Sequence, residues 1–177
     1  MRAYPLGHEP DFWDPHPPKQ EYRFALGRLG ANATASNPLV VIGMNPSHAN
    51  EFASDATVSN VVAASIQLGY TGWVVLNLYP ERASSPASLS AFDQNLSDAN
   101  CAVITQFLTR HGISEVWGAW GEIPNPTIRQ VKPAVLQALS SPGARVFYFG
   151  ELTAKSEPRH LNPRGPKLDI TAPKHYL

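Results

Sequence analysis

Leu39-Val40-Val41-Ile42-Gly43-Met44-Asn45-Pro46-Ser47-His48-Ala49-Asn50 is the stretch that decides the fold. Four apolar residues, three of them β-branched, run into Gly43 as a buried strand. Asn45, Ser47, His48 and Asn50 follow, with Pro46 stiffening the turn, and then Asp55 and Thr57. In an open α/β sheet, ligands bind just beyond the carboxyl ends of the strands. A hydrophobic strand that ends in clustered polar groups is therefore a candidate site. The plainer alternative is a polar turn between a strand and a helix.

Outward from this stretch, strands and helices alternate. Val58, Val61, Val62, Ser65 and Ile66 have helical spacing, with Ser54 or Asp55 as cap and Gly69 as terminator. Trp73-Val74-Val75-Leu76 is a second core strand, again ending in polar groups: Asn77, Tyr79, Glu81 and Arg82. Asp93 to His111 carries a helix with Val103, Ile104, Phe107 and Leu108 on one face, Ser97 as cap and Gly112 as terminator. Glu115 to Trp120 is a third strand. Asn125-Pro126 opens a third helix, which Pro133 must kink or restart. Arg145 to Gly150 is a fourth strand. The order implies an α/β three-layer sandwich with a mainly parallel four-stranded central sheet. The four strand ends, near Asn45, Asn77, Trp120 and Gly150, then share one edge.

The flanks read differently. Residues 1–20 hold five prolines and form an extended arm, which Phe12 and Trp13 can anchor. Residues 21–177 form a single domain. Tyr22, Phe24 and Leu26 alternate as a strand, with Arg23 and Arg28 on the other side, and Ala31 to Asn37 is a small-residue loop. The tail from Glu151 is rich in proline and basic residues, including Lys155, Arg159, Arg164, Lys167 and Lys174. It suits a phosphate backbone or a nucleotide phosphate, or simply a solvated tail.

The 177 residues suit one domain with a sizeable core. A formal charge of +0 gives no support to broad electrostatic attraction to nucleic acid. One cysteine, Cys101, excludes an internal disulfide and any all-cysteine metal or iron–sulfur site. The chain has no phosphate-binding loop, dinucleotide fingerprint or zinc spacing, so no cofactor or metal is expected. No run approaches the length of a membrane span, and the polar, proline-rich start lacks an apolar core, so no signal peptide and a cytoplasmic location are expected. Nothing sets an oligomeric state.

Met44-Asn45-Pro46-Ser47, Asp55-Ala56-Thr57, Leu76-Asn77-Leu78-Tyr79, Ala119-Trp120-Gly121 and a late Gly150, Lys155, Pro158 and His160 carry a resemblance. In this order they resemble domain-of-unknown-function family 1643, over roughly Leu39 to His160. More distantly, Gly43-Met44-Asn45-Pro46 resembles the GMNPG motif of single-strand-selective uracil-DNA glycosylases. Asn77 through Arg82 to Pro86 resembles the segment after strand two of the thermophile-type enzymes, and His160 falls where the superfamily has its late HPS motif. The chain departs from them at Ser47, which replaces a glycine, and at Leu161, which replaces a proline.

That resemblance implies a uracil-DNA-glycosylase-like fold, with a nucleic acid or nucleotide as partner. Asn45 would orient water, and His160 would stabilise the departing base. Asn77 would read a base edge, and Trp120 or Tyr79 would stack on the base. Asp55 is the alternative general base. Met44, Ser47, His48, Arg82 and Lys155 complete the expected binding set. Two other readings stand beside it. One is a small-molecule or nucleotide hydrolase using Ser47, His48 and Asp55. The other is a non-catalytic module that binds DNA or a protein.

Overall fold

The computed structural model describes residues 1–30, 37–162 and 167–177. Residues 31–36 of the small-residue loop, and Arg164 of the basic tail, lie outside the described residues. The strands are β1 (Phe12–Asp14), β2 (Ala25–Arg28), β3 (Pro38–Gly43), β4 (Gly72–Asn77), β5 (Glu115–Gly118), β6 (Arg145–Phe149) and β7 (Lys174–Tyr176). The helices are α1 (Ala56–Gln67), α2 (Gln94–His111) and α3 (Pro126–Ser140).

All seven strands form one sheet in the order β1-β2-β4-β3-β5-β6-β7. The β4–β3, β3–β5 and β5–β6 pairings are parallel. The β1–β2, β2–β4 and β6–β7 pairings are antiparallel. The expected four-stranded, mainly parallel sheet is therefore corrected to a seven-stranded mixed one. The parallel strands β3 to β6 are there, but three short strands extend their edges. β2 is the end of the alternating stretch around Leu26, and β1 and β7, of three residues each, carry little apolar pattern. β7 is Lys-His-Tyr, and Glu115 of β5, two strands away, holds it: the carboxylate accepts from Lys174 Nζ at 2.7 Å and Tyr176 Oη at 2.6 Å.

β3 and β4 are buried along their whole length because helices cover both faces of the sheet. Leu39, Val41, Trp73 and Val75 meet Val58, Val61 and Val62 of α1 on one face. Val40, Ile42, Val74 and Leu76 meet Ile104 and Leu108 of α2 and Ile128 and Val131 of α3 on the other. That two-sided burial explains runs that are apolar throughout rather than alternating. Six residues of β3 and β4 pair in register, from Pro38 with Gly72 to Gly43 with Asn77. The two carboxyl ends therefore lie side by side.

Local sequence sets the helix ends. Asp55 caps α1 by accepting from the Val58 N–H, and Asn125 caps α3. α2 is capped by Asp93 and not by Ser97, which is buried inside the first turns. Gly112 ends α2 in the left-handed conformation at φ +61°. Pro133 is accommodated inside α3. β2 covers only the last part of the alternating stretch, and β5 ends at Gly118, before Trp120. The N-terminal segment packs on the domain: Phe12 stacks on Phe107 at 5.7 Å and Tyr4 on Trp73 at 5.7 Å. No helix among the described residues is long and apolar enough to cross a membrane.

Gly72 shows how closely β2 and β4 approach. A Cβ there would lie 2.1 Å from the Arg28 carbonyl oxygen. Gly72→Ala must push the two strands apart, and overpacking of this kind costs about 1–3 kcal/mol. We expect a lower urea midpoint at an unchanged denaturant slope. An unchanged midpoint would mean that the edge gives way freely.

Candidate functional site

A cavity of about 210 Å³ opens at the carboxyl ends of β3 and β4, on the α1 face of the sheet. On the water-sized scale of about 30 Å³ per molecule it holds roughly seven waters. That is room for a small ring and less than a drug-sized ligand requires. Val41, Val75, Val58 and Val61 make an apolar floor. Polar groups come from four parts of the chain: Asn45 and Ser47 after β3, Asn77 at the end of β4 with Ser84 beyond it, Asp55 and Thr57 at the start of α1, and His160 from the C-terminal segment. Arg23, just before β2, adds a guanidinium.

Asn45 ties two loops together. Its Nδ2 donates to the Pro46 carbonyl at 3.0 Å and to the Ala83 carbonyl at 2.9 Å. The amide orientation is thereby fixed, and the side-chain carbonyl is left as the group available to a ligand or water. Asn77 is 2% exposed and lies over Gly43, where a Cβ would come within 2.9 Å of the Asn77 Oδ1. A side chain at position 43 would have to displace that amide. The Asn77 Nδ2 is buried with no hydrogen-bond partner. An unpaired buried donor costs about 1–3 kcal/mol, so this one is a candidate to bind a ligand acceptor.

His160 reaches the cavity because the loop after β5 carries it there. Gly121, at φ +73°, donates its N–H to the Pro158 carbonyl at 3.0 Å. A Cβ on Gly121 would lie 3.0 Å from the His160 Cβ, so the segment packs directly on that glycine. His160 Nδ1 accepts from the Asn162 N–H at 3.0 Å. The neutral ring must then carry its proton on Nε2, as a donor. Burial pushes the imidazole below its ordinary range, opposed by the Asn162 hydrogen bond and the Asp55 charge.

Both Asp55 oxygens are engaged: one accepts from the Val58 N–H at 2.9 Å and the other from the Ala49 N–H at 3.3 Å. Ser47 Oγ lies 2.9 Å from His48 Nδ1, but His48 is exposed and does not line the cavity. Asp55 makes no hydrogen bond to His48, so these three residues form no relay. Met44 lines the cavity.

Besides His48, four expected residues lie elsewhere. Trp120 is 0% exposed and donates Nε1 to Glu157 at 2.7 Å. Glu157 also pairs with Lys132 at 2.7 Å. Tyr79 is buried, and its hydroxyl accepts from the Asp93 N–H at 3.1 Å. Neither ring faces the cavity, because each polar tip has found a partner within the fold. Lys155 is exposed, 3.9 Å from Glu122. Arg82 stands behind the cavity wall and donates to the Ala49 carbonyl at 3.2 Å.

Arg23 is the member the alternating pattern of its strand hid. It is 5% exposed and donates to the same Ala49 carbonyl, while its Nε has no partner. Burial, followed by the Arg82 charge, pushes its guanidinium down to about 10. The signal in the sequence was a charged residue placed between Tyr22 and Phe24. Among the described residues, no group of three His, Cys, Asp or Glu is placed to hold a metal ion.

The model of the family described as "Protein of unknown function (DUF1643)" matches residues 23–161. No curated protein and no solved structure matches the chain. The matched span begins at Arg23 and takes in every residue that lines the cavity, ending at Leu161.

His160 gives the site a pH signature. Its folded value is depressed, whereas the unfolded ring titrates near about 6.5. Below that pH the unfolded chain binds the proton more readily, so stability is lost as pH falls through the folded value. We expect NMR to show His160 neutral at pH 7 and titrating below the ordinary range. The urea midpoint of wild type should fall more between pH 7 and pH 5 than that of His160→Gln; equal falls would refute the assignment.

Proposed function

The chain belongs to the DUF1643 family, whose description names no activity, and we propose that its cavity is a nucleobase pocket of uracil-DNA-glycosylase type. The carrying observation is that His160 meets Asn45 and Asn77 over an apolar floor of single-ring size. The reading keeps the motif order that resembles the glycosylases and gives each cavity group a task. A base slides onto the valine floor. Asn77, with a free Nδ2, donates to a base carbonyl. The Asn45 carbonyl, fixed by the two bonds of its Nδ2, orients a water at the sugar.

Hydrolysis adds that water at C1′ and breaks the bond from C1′ to the base nitrogen. The electron pair leaves with the base, and Asp55, the carboxylate that lines the cavity, takes the water's proton. Negative charge then develops on the base carbonyl, where a neutral His160 donates from Nε2. The stacking role assigned to Trp120 or Tyr79 is dropped, and base recognition rests on the floor and on Asn77. A base must leave its stack to enter such a pocket, so single-stranded DNA is the favoured substrate form.

The 2.9 Å contact of Ser47 with His48 supports a second reading, hydrolysis of a small ester by Ser47. A binding module that has kept the pocket without turnover is a third.

Incubating the full chain with single-stranded DNA carrying uracil, and assaying abasic sites, separates them. The glycosylase reading expects abasic product, reduced roughly 10²–10³-fold by His160→Ala and much less by Ser47→Ala. No product from any pyrimidine tried, together with no binding of free uracil, would overturn it. Ester hydrolysis lost in Ser47→Ala would put the second reading in its place.

A further inference from the structure

Two guanidiniums converge on one oxygen behind the pocket. Arg23 and Arg82 both donate to the Ala49 carbonyl, and among the described residues no carboxylate forms an ion pair with either. Arg23 is nine-tenths buried, and Ala49 supplies its one side-chain hydrogen bond. A guanidinium has five N–H donors. A buried cation without a paired anion is costly and is ordinarily compensated. Here compensation within the protein is incomplete.

A second source of positive potential meets the first. α1 begins at the same cavity, and Thr57 in its first turn lines it. Helix geometry leaves the N–H groups of the first turn without intrahelical partners, and the Asp55 side chain takes that of Val58. Asp55 is the opposing charge, but its oxygens are already held by two backbone N–H groups. Asp55 faces the two guanidiniums from the cavity side, and Glu51 shares with them the small pocket on the other side of this wall.

From these observations we propose that the Arg23 side of the cavity is an oxyanion subsite that takes a phosphate group. A helix start and a guanidinium together suit a tetrahedral oxyanion, since each supplies directed N–H donors. Arg23 touches the ligand; Arg82 stands behind it and raises the local potential. The ligand is then a phosphate-bearing molecule, whether a free nucleotide or one nucleotide of a DNA strand. This subsite goes beyond the nucleobase reading and stands without it.

Calorimetric titration of the full chain with inorganic phosphate, with uracil and with deoxyuridine 5′-monophosphate tests it. Phosphate should bind at one site per chain, and the nucleotide should displace it. Arg23→Gln should weaken phosphate binding roughly 10- to 100-fold, the range for losing a hydrogen bond to a charged group. If Arg23→Gln does not fold by circular dichroism, Arg82→Gln carries the test, and a several-fold loss that shrinks at high salt is expected. No phosphate binding by wild type at millimolar concentration would overturn the proposal. So would unchanged affinity in the folded variants. Uracil binding without phosphate binding overturns this subsite and leaves the base reading intact; phosphate binding without uracil does the reverse. Displacement of phosphate by a single strand but not by the free nucleotide assigns the group to DNA, and the converse to a nucleotide; both support the subsite.

Discussion

The parallel pairing of β3 with β4 is the constraint on which the rest of the structure depends. Both strands are buried along their whole length, so neither can present a polar side chain to water before its end. The polar residues that follow are concentrated where the pairing stops, at Gly43 and Asn77. Gly43 leaves at that point the space into which the Asn77 amide packs. The cavity therefore follows from the core: one close-packed strand pair sets its floor, and the loops leaving that pair form its rim.

Much of this was legible in the sequence, and the reason is length. β3 and β4 are continuous apolar runs, and the faces of α2 and α3 keep helical spacing over several turns. Asp55 and Asn125 at the caps and Gly112 at the end of α2 are local chemistry, readable from neighbours alone. β1 and β7 have three residues each and no alternation to read. Their pairing depends on partners far along the chain. Phe12 needs Phe107, and Lys174 needs Glu115. The mixed character of the sheet was hidden for that reason.

The same distinction separates the site residues that meet from those that do not. Asn45, Asp55 and Asn77 sit at strand or helix ends, where chain order fixes their place. Trp120 also follows a strand, yet its ring is in the core, because Glu157 accepts its N–H and Lys132 pairs with that carboxylate. Tyr79 is turned inward by the Asp93 N–H in the same way. A tryptophan or tyrosine with a buried polar tip needs a partner, and no local pattern says whether a loop or a ligand provides it. The arrangement that removes Trp120 from the pocket also delivers His160. Glu157 fixes the segment onto Trp120 and Lys132, and three residues later His160 packs against Gly121.

Two donors on the cavity wall have polar bonding left unmade. The Asn77 Nδ2 and the Arg23 Nε are buried without partners, and both side chains line the same space. Each such group costs about 1–3 kcal/mol, and more when charged. Native stability is only about 5–15 kcal/mol, so two of them are a large fraction of what holds a domain together. The half-buried Asn45 and Asp55 and the buried Trp120 indole are satisfied, whereas Trp13, Ser65, Asn100 and Trp117, away from the cavity lining, each keep a buried polar atom without a partner among the described residues. At the cavity the shortfall falls on one donor suited to a carbonyl and one suited to an anion. A ligand with both groups would satisfy the two at once, and a nucleotide has a carbonyl on its base and an oxyanion on its phosphate. Neither a base without phosphate nor a phosphate without base would remove the whole cost. That difference in bonding is the physical basis on which the site would prefer the combined ligand.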